Sequence, residues 1–213
     1  PETQPKPNLF FGSVQYLSVQ KETPLKRIFE SPFEVDLEAS FQLLIDFCLT
    51  HSDELLQLFH TKSVQTNEVQ RASYLFPIFS EIAEEVELPL TLLEIGTSAG
   101  LLLNLDGYRY EIEQEPPISF GNENSPLTLF AKNYGTSITS VKNLDILYRI
   151  GIDLNIIDLQ DSEEYLWLKS LIWPEQIIRK ENLARALVIH RQYSKLLLTG
   201  DFRNLIPPLF ENH

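Results

Sequence analysis

The sequence predicts an α/β protein: a mostly parallel sheet flanked by helices, with a helical N-terminal region before it. Three observations predict this. From Glu34 to about Val86, apolar side chains recur at three- and four-residue spacing, the period of an amphipathic helix. At Pro89 the period changes, and "LTLLEIG" is a short apolar run ending in glycine, which suits a buried parallel strand. Beyond it, strand-like and helix-like stretches alternate in the rhythm of a doubly wound sheet. The expected division is a helical lid or cap over residues 1–88 and an α/β core over 89–213.

The elements follow in order. "PETQPKPN" is proline-rich and polar, and predicts a tail or linker. "DLEASFQLLIDFCLTH" places Leu37, Phe41, Leu44, Ile45 and Cys48 on one helical face. "SDELLQLFH" opens a second helix, with Ser52 as N-cap and acids in its first turn. "TNEVQRASYLFPIFSEIAEEV" predicts a third, kinked or broken at Pro77. After the strand at "LTLLEIG", "SAGLLLNLDG" predicts a helix closing near Gly107. "YRYEIE" alternates tyrosines with charges, as a strand does. Residues 114–147 are rich in Pro, Asn and Gly and predict loops. "YRIGIDLNIIDL" is a second core strand, and the following stretch is helical with an interruption before Pro174. "SKLLLTGD" is a third core strand, and "FRNLIPPLF" begins what comes next.

Charge narrows the partners. A net charge of −13, with 17 dispersed Lys and Arg, argues against nucleic acid, whose binding depends on neutralising phosphates. A neutral or cationic small molecule suits such a field better. No apolar run is long enough to cross a bilayer, and no signal-like segment opens the chain. The single cysteine, Cys48, lies among Ile45, Phe47 and Leu49 and reads as a small buried hydrophobe. One cysteine excludes an internal disulfide, and a cytoplasmic protein is expected. No ligand set for a metal is identified. The chain has no methionine and stops shortly after a strand-like run. The expectation is that segments are missing and that the core is incomplete at its C-terminal end.

The chemistry turns on "LLEIGTSAG". A glycine turn between a parallel strand and a helix lies where open α/β sheets bind ligands. Small residues there let the backbone approach a ligand, and the helix N-terminus offers free N–H groups. Gly96, Ser98 and Gly100 match the Gly-x-Ser-x-Gly elbow of a serine hydrolase. Asp153 or Asp158 and His190 stand in the right chain order to complete a triad. Against it, Glu94 interrupts the apolar strand, Gly12 is the only upstream glycine for an oxyanion loop, and His190 lies inside a helical pattern. A G-x-G-x-x-G dinucleotide fingerprint fails, since its second and third glycines are missing.

Taken instead as Glu94, Gly96, Gly100, the stretch resembles the first motif of Rossmann-like S-adenosylmethionine-dependent methyltransferases. That resemblance implies a glycine turn packed against the methionine moiety, with the acid orienting the turn and the cofactor's amino end. Ser98 replaces the usual middle glycine. "RIGIDLN" then resembles the second strand of that fold, whose acid, here Asp153, holds the ribose hydroxyls. "LLLTGDFRNLIPP" resembles the end of the third strand, with Asp201 at the adenine amino group and Phe202 a stacking neighbour. Singly, Asp153 and Asp201 also read as caps of the segments that follow them. About 57 residues separate Glu94 from Asp153, where a compact β-α-β unit needs about 20. Either an insertion covers "YRYEIEQEPPISFGNENSPLTLF", or the ribose acid is Glu111 or Glu113.

Together, "VQTNEVQRA", "LLEIGTSAGLLLNLDGYRY", "GIDLNIIDL", "LWLKSLIWPEQ" and "LLLTGDFRNLIP" resemble a large bacterial family, the domain-of-unknown-function family 2332. The resemblance implies a methyltransferase-like Rossmann core but no established activity. In "QTNEVQR", Thr66 or Asn67 is expected to cap a helix with Glu68 in its first turn; alternatively Gln65, Asn67, Glu68 and Arg71 face a cofactor cleft. Trp173 reads as core, and Glu175 as a candidate lining a substrate pocket. The expected ligand is S-adenosylmethionine, held by Glu94, Gly96, Ser98, Gly100, Asp153 and Asp201. A non-catalytic cofactor-binding scaffold and a serine hydrolase are the other classes.

Overall fold

A computed structural model describes residues 4–33 and 36–210. The chain forms two compact units that do not follow chain order. The first comprises residues 1–66 with 159–180; the second comprises 67–158 with 181–213.

The first unit is helical. Its helices are α1 (Lys6–Gln20), α2 (Lys26–Glu30), α3 (Leu37–Thr50), α4 (Ser52–Thr61) and α6 (Ser162–Ser170). Of the expected tail, residues 1–3 lie outside the described residues, and α1 already starts at Lys6. Its prolines are no obstacle, because Pro5 is at the N-cap and Pro7 in the first turn, where an N–H has no helical acceptor. Helix α1 lacks a clear apolar stripe because it is buried on most sides: Ser13, Val14, Gln15, Tyr16, Leu17 and Ser18 are all enclosed. Val14 and Leu17 join Leu25, Phe29, Phe47 and Leu55 in one core cluster, while Leu9, Tyr16 and Trp167 form a second. Trp167 donates its indole N–H to Ser63 O at 3.0 Å and meets the Tyr16 ring edge-on.

Two sequence expectations here need correction. His51, not Ser52, occupies the N-cap of α4, and its Nδ1 lies 2.7 Å from the Glu54 carboxylate. On α3 the buried residue is Phe47, with Leu44 and Cys48 packed partly against the core, whereas Leu37 and Phe41 are exposed. The helix presents a face one residue round from the periodicity's best stripe. Asp36 caps it by accepting from Ala39 N.

The second unit holds two three-stranded sheets. In the first, β1 (Leu90–Ile95), β5 (Ile146–Asp153) and β6 (Leu196–Thr199) run parallel in the order β1-β5-β6. In the second, β2 (Arg109–Glu113) pairs antiparallel with β3 (Ile118–Gly121) and parallel with β4 (Thr128–Lys132). The stretch expected as loops between 114 and 147 therefore supplies two strands of a sheet inserted between β1 and β5. Helix α5 (Ala72–Val86) faces this insertion, with Phe76 against Tyr110 and Phe120. It runs through Pro77 unbroken. Helix α7 (Ile177–His190) precedes β6, and α8 (Phe202–Phe210) follows it; only the part of α7 from Glu181 belongs to this unit.

One correction bears on function. "SAGLLLNLDG" forms no α-helix: a 3-10 segment, Leu102–Gly107, stands there, with Asn104 out of helical geometry. Leu101, Leu103, Asn104 and Leu105 are each nearly fully buried, so no single helical stripe faces the core. Their carbonyls accept from side chains instead: Tyr108 Oη donates to Leu101 O, Tyr110 Oη to Leu105 O, and Arg149 to Leu103 O.

Arg149 also grips Asp106 through both terminal nitrogens, at 2.7 Å each, and stacks on Tyr193. Both charged side chains are largely buried, so breaking the pair leaves an uncompensated carboxylate. Arg149→Met is expected to lower stability by about 3 kcal/mol in urea unfolding. Arg149→Lys recovers less than half of that, because an ammonium lacks the planar fork.

Candidate functional site

The turn after β1 is welded to the end of β5. Gly96 and Thr97 donate their N–H groups to Ile152 O at 2.8 and 3.2 Å, and Ser98 N donates to Asp153 Oδ2 at 2.7 Å. Asp153 Oδ1 accepts from Asn155 N, so each carboxylate oxygen takes one backbone donor and keeps a lone pair free of them. The strand pairing thus puts Asp153 beside the glycine turn, while Glu111 and Glu113 stand on β2 in the other sheet. The wide spacing in sequence is the inserted sheet.

Backbone conformation explains the small residues. Gly96, Ser98 and Gly100 all have positive φ, at 79°, 52° and 69°. Ser98 holds a left-handed conformation that a side chain tolerates poorly, which is where the resembled motif carries its middle glycine. Gly96 is exposed, and nothing lies within 4 Å of the point where a Cβ would sit. Its face is bare.

Gly96, Asp153 and Asp201 line one cleft of about 460 Å³ at the carboxyl ends of the parallel strands. Ile95, Ile152, Leu154, Gly200, Phe202 and Arg203 complete it. Asp201 is held by Arg203, whose Nε lies 3.0 Å from both carboxylate oxygens and whose N–H caps the same group. That fork keeps the carboxyl below its ordinary range. Phe202 is partly exposed at the rim.

Glu94 does not line this cleft. It faces a separate, mostly apolar hollow of about 390 Å³ bounded by α5, β1 and Leu102, Leu103 and Leu105. Its Oε2 accepts from Thr97 Oγ1 at 2.5 Å, so it fixes the turn from behind. Burial pushes its carboxyl from 4.5 up to about 7; the Thr97 hydroxyl and the Arg71 charge oppose the shift, and the Asp153 charge adds to it.

Ser98 is buried, and its hydroxyl accepts from Asn67 Nδ2 at 2.5 Å. His190 is engaged elsewhere, with Nδ1 at 3.5 Å from Asn104 Nδ2. Burial lowers its pKa to about 4, aided by Lys195 and Arg191 and opposed by Asp158, so the imidazole is neutral at pH 7. Glu68, rather than Thr66 or Asn67, caps the turn Val69–Arg71 by accepting from Gln70 N. Asn67 is left to tether Ser98, and Arg71 to face Glu94.

Three contributors escape a sequence reading. Thr97 positions Glu94, and Arg203 neutralises Asp201. Gly151 lies opposite Glu94 in the strand register, where a Cβ would come within 2.6 Å of Thr97 Cγ2 and 2.7 Å of Leu197 Cδ2. A glycine inside an apolar strand is the available signal for such a close approach.

The model of an uncharacterised protein family conserved in bacteria, domain of unknown function 2332, matches residues 1–213. The chain belongs to this family. Comparisons with curated proteins and with solved structures find no match. The family thus brings no activity with it, and function rests on the site's own chemistry. No helix among the described residues is long and apolar enough to cross a membrane, and none of their His, Cys, Asp and Glu side chains cluster as a metal site.

Two outcomes are expected. Gly151→Ala overpacks the joint between Thr97 and Leu197 and lowers stability by about 2 kcal/mol in denaturant unfolding. For Glu94, the folded chain keeps a proton between pH 4.5 and about 7 that the unfolded chain has lost. Its contribution to stability therefore falls as pH rises through that window. Glu94→Gln removes the ionisation penalty and gains up to about 3 kcal/mol relative to wild type at pH 8, but little at pH 4, read from paired unfolding curves.

Proposed function

We propose that the protein binds S-adenosylmethionine or a closely related adenosyl ligand in the cleft at the ends of β1, β5 and β6, in a Rossmann-like, methyltransferase-type arrangement. The observation that carries this is the company in one cleft of a bare glycine backbone and two aspartates, all at the carboxyl ends of parallel strands. The donor set fits an adenosine. Asp153 keeps acceptor capacity on both oxygens, which matches the two hydroxyls of a cis-diol. Gly96 lets ligand atoms approach the main chain. Phe202 and Leu154 supply apolar surface for a purine, and Asp201 an acceptor for its amino group.

Glu94 acts in this reading through the turn: it holds Thr97, which holds the backbone that the ligand meets. No α-helix follows the turn, so a helix N-terminus adds nothing to anion binding. The ligand expected is accordingly one whose charge is cationic near the turn, in keeping with the chain's negative field. S-adenosylmethionine would supply an electrophilic methyl group, and the chain's contribution would be to bind it and align an acceptor. The hydrolase alternative draws less support, since a nucleophilic serine needs an imidazole and access, and Ser98 has an amide and burial.

The test is calorimetric titration with S-adenosylhomocysteine. Wild type is expected to bind with one site; Asp153→Asn, which keeps an acceptor for Ser98 N–H, weakens binding about tenfold, and Phe202→Ala weakens it severalfold. Absence of saturable heat with wild type overturns the reading. Fluorophosphonate labelling lost in Ser98→Ala favours the hydrolase. Binding without methyl transfer to any acceptor in a broad panel leaves a ligand-binding protein without transfer chemistry.

A further inference from the structure

The first unit contains a hollow that the adenosyl reading does not use. It measures about 310 Å³ and is lined entirely within that unit, by residues of α1, by Phe29, and by the stretch from Ser170 to Glu175. Its walls are aromatic and aliphatic. The Phe11 and Trp173 rings stand 5.6 Å apart, inclined at 51°, with Phe29, Leu171 and Ile172 beside them.

Its polar side chains are few: Asn8, Gln15, Glu175 and Ser170, whose hydroxyl donates to Leu166 O at 2.8 Å. Gln15 is 6 % exposed, yet its amide makes no hydrogen bond with any described residue. That amide lines the hollow and can both donate to and accept from a ligand there. Glu175 lines the same hollow, with no hydrogen-bond or ion-pair partner among the described residues. The nearby cation, Lys180, donates to the carbonyls of Phe29 and Pro174 at 3.3 and 3.4 Å and is attracted to the Glu175 carboxylate without a direct ion pair. Glu175 is therefore the one charged side chain in the lining.

We propose that this hollow is a second small-molecule site, and that it takes an arylalkylamine, an aromatic ring carrying an aliphatic ammonium group. An apolar ring suits the walls, and burying it removes apolar surface from water. A positive charge gains from the Glu175 carboxylate and from the faces of Trp173 and Phe11. A hydroxyl or similar polar atom on the ring satisfies the Gln15 amide, which both donates and accepts. An anion is repelled by the Glu175 carboxylate.

The experiment uses the whole chain and three near-isosteric probes: tyramine, neutral 4-ethylphenol and anionic 4-hydroxyphenylacetate. Calorimetry is expected to show one site for tyramine, at least tenfold weaker binding of ethylphenol, and none of the anion. Tyramine should also shift the indole resonance of Trp173 and leave that of Trp167 in place. Glu175→Gln, at an exposed position that tolerates substitution, brings tyramine to within about twofold of ethylphenol. Gln15→Leu weakens tyramine further. Asp153→Asn leaves tyramine binding unchanged, which separates this site from the adenosyl cleft. Three results overturn the proposal: no saturable tyramine binding up to millimolar concentration, equal binding of all three probes, or no response to Glu175→Gln.

Discussion

The hydrogen bond from Ser98 N–H to the Asp153 carboxylate is the joint on which the second unit's chemistry depends. It ties a turn of three positive-φ residues to the end of the neighbouring strand. It helps hold Ser98 left-handed, together with Asn67 on the hydroxyl and Ile157 N–H on the carbonyl, where a side chain prefers otherwise. The joint is reinforced from behind. Glu94 takes the Thr97 hydroxyl, and Gly151 vacates the space that Thr97 needs. The same carboxylate that fastens the turn presents its remaining lone pairs to the cleft, so rigidity and recognition come from one group.

Two buried titratable groups of this unit act in opposite senses. Glu94, pushed up by burial, favours the folded state at lower pH within its window. His190, pushed down by burial, does the reverse: between about 4 and 6.5 the unfolded chain takes up a proton that the folded chain refuses, so stability is lost on acidification. The two windows overlap and their slopes have opposite signs. Where they overlap, the contributions of these two groups oppose each other.

Much of this was legible in the residues. The strands at Leu90, Ile146 and Leu196 follow from apolar runs bounded by turns, and the glycine turn from its spacing. The interrupted helix pair before and after Pro174 was equally readable. What escaped has physical causes. Helix α1 is enclosed on most sides and so lacks a stripe. The leucine run after Gly100 looks helical in composition, yet tyrosine hydroxyls on its carbonyls hold it in a tighter form. Strands β3 and β4 are short and their residues sit among Pro and Asn, which read as loop. Partners such as Arg203 for Asp201 depend on side-chain reach, which no spacing rule encodes.

The sheet inserted between β1 and β5 has a kinetic consequence. Pairing β1 with β5 closes roughly fifty residues of intervening chain, an entropic cost that must be met before any ladder bond forms. The insertion has its own strands and aromatic contacts, so it can shorten that span by collapsing first. Assembly of the ligand cleft would then wait on the ordering of a segment that contributes none of its lining, and sequence changes far from the aspartates would set how fast the binding-competent state appears.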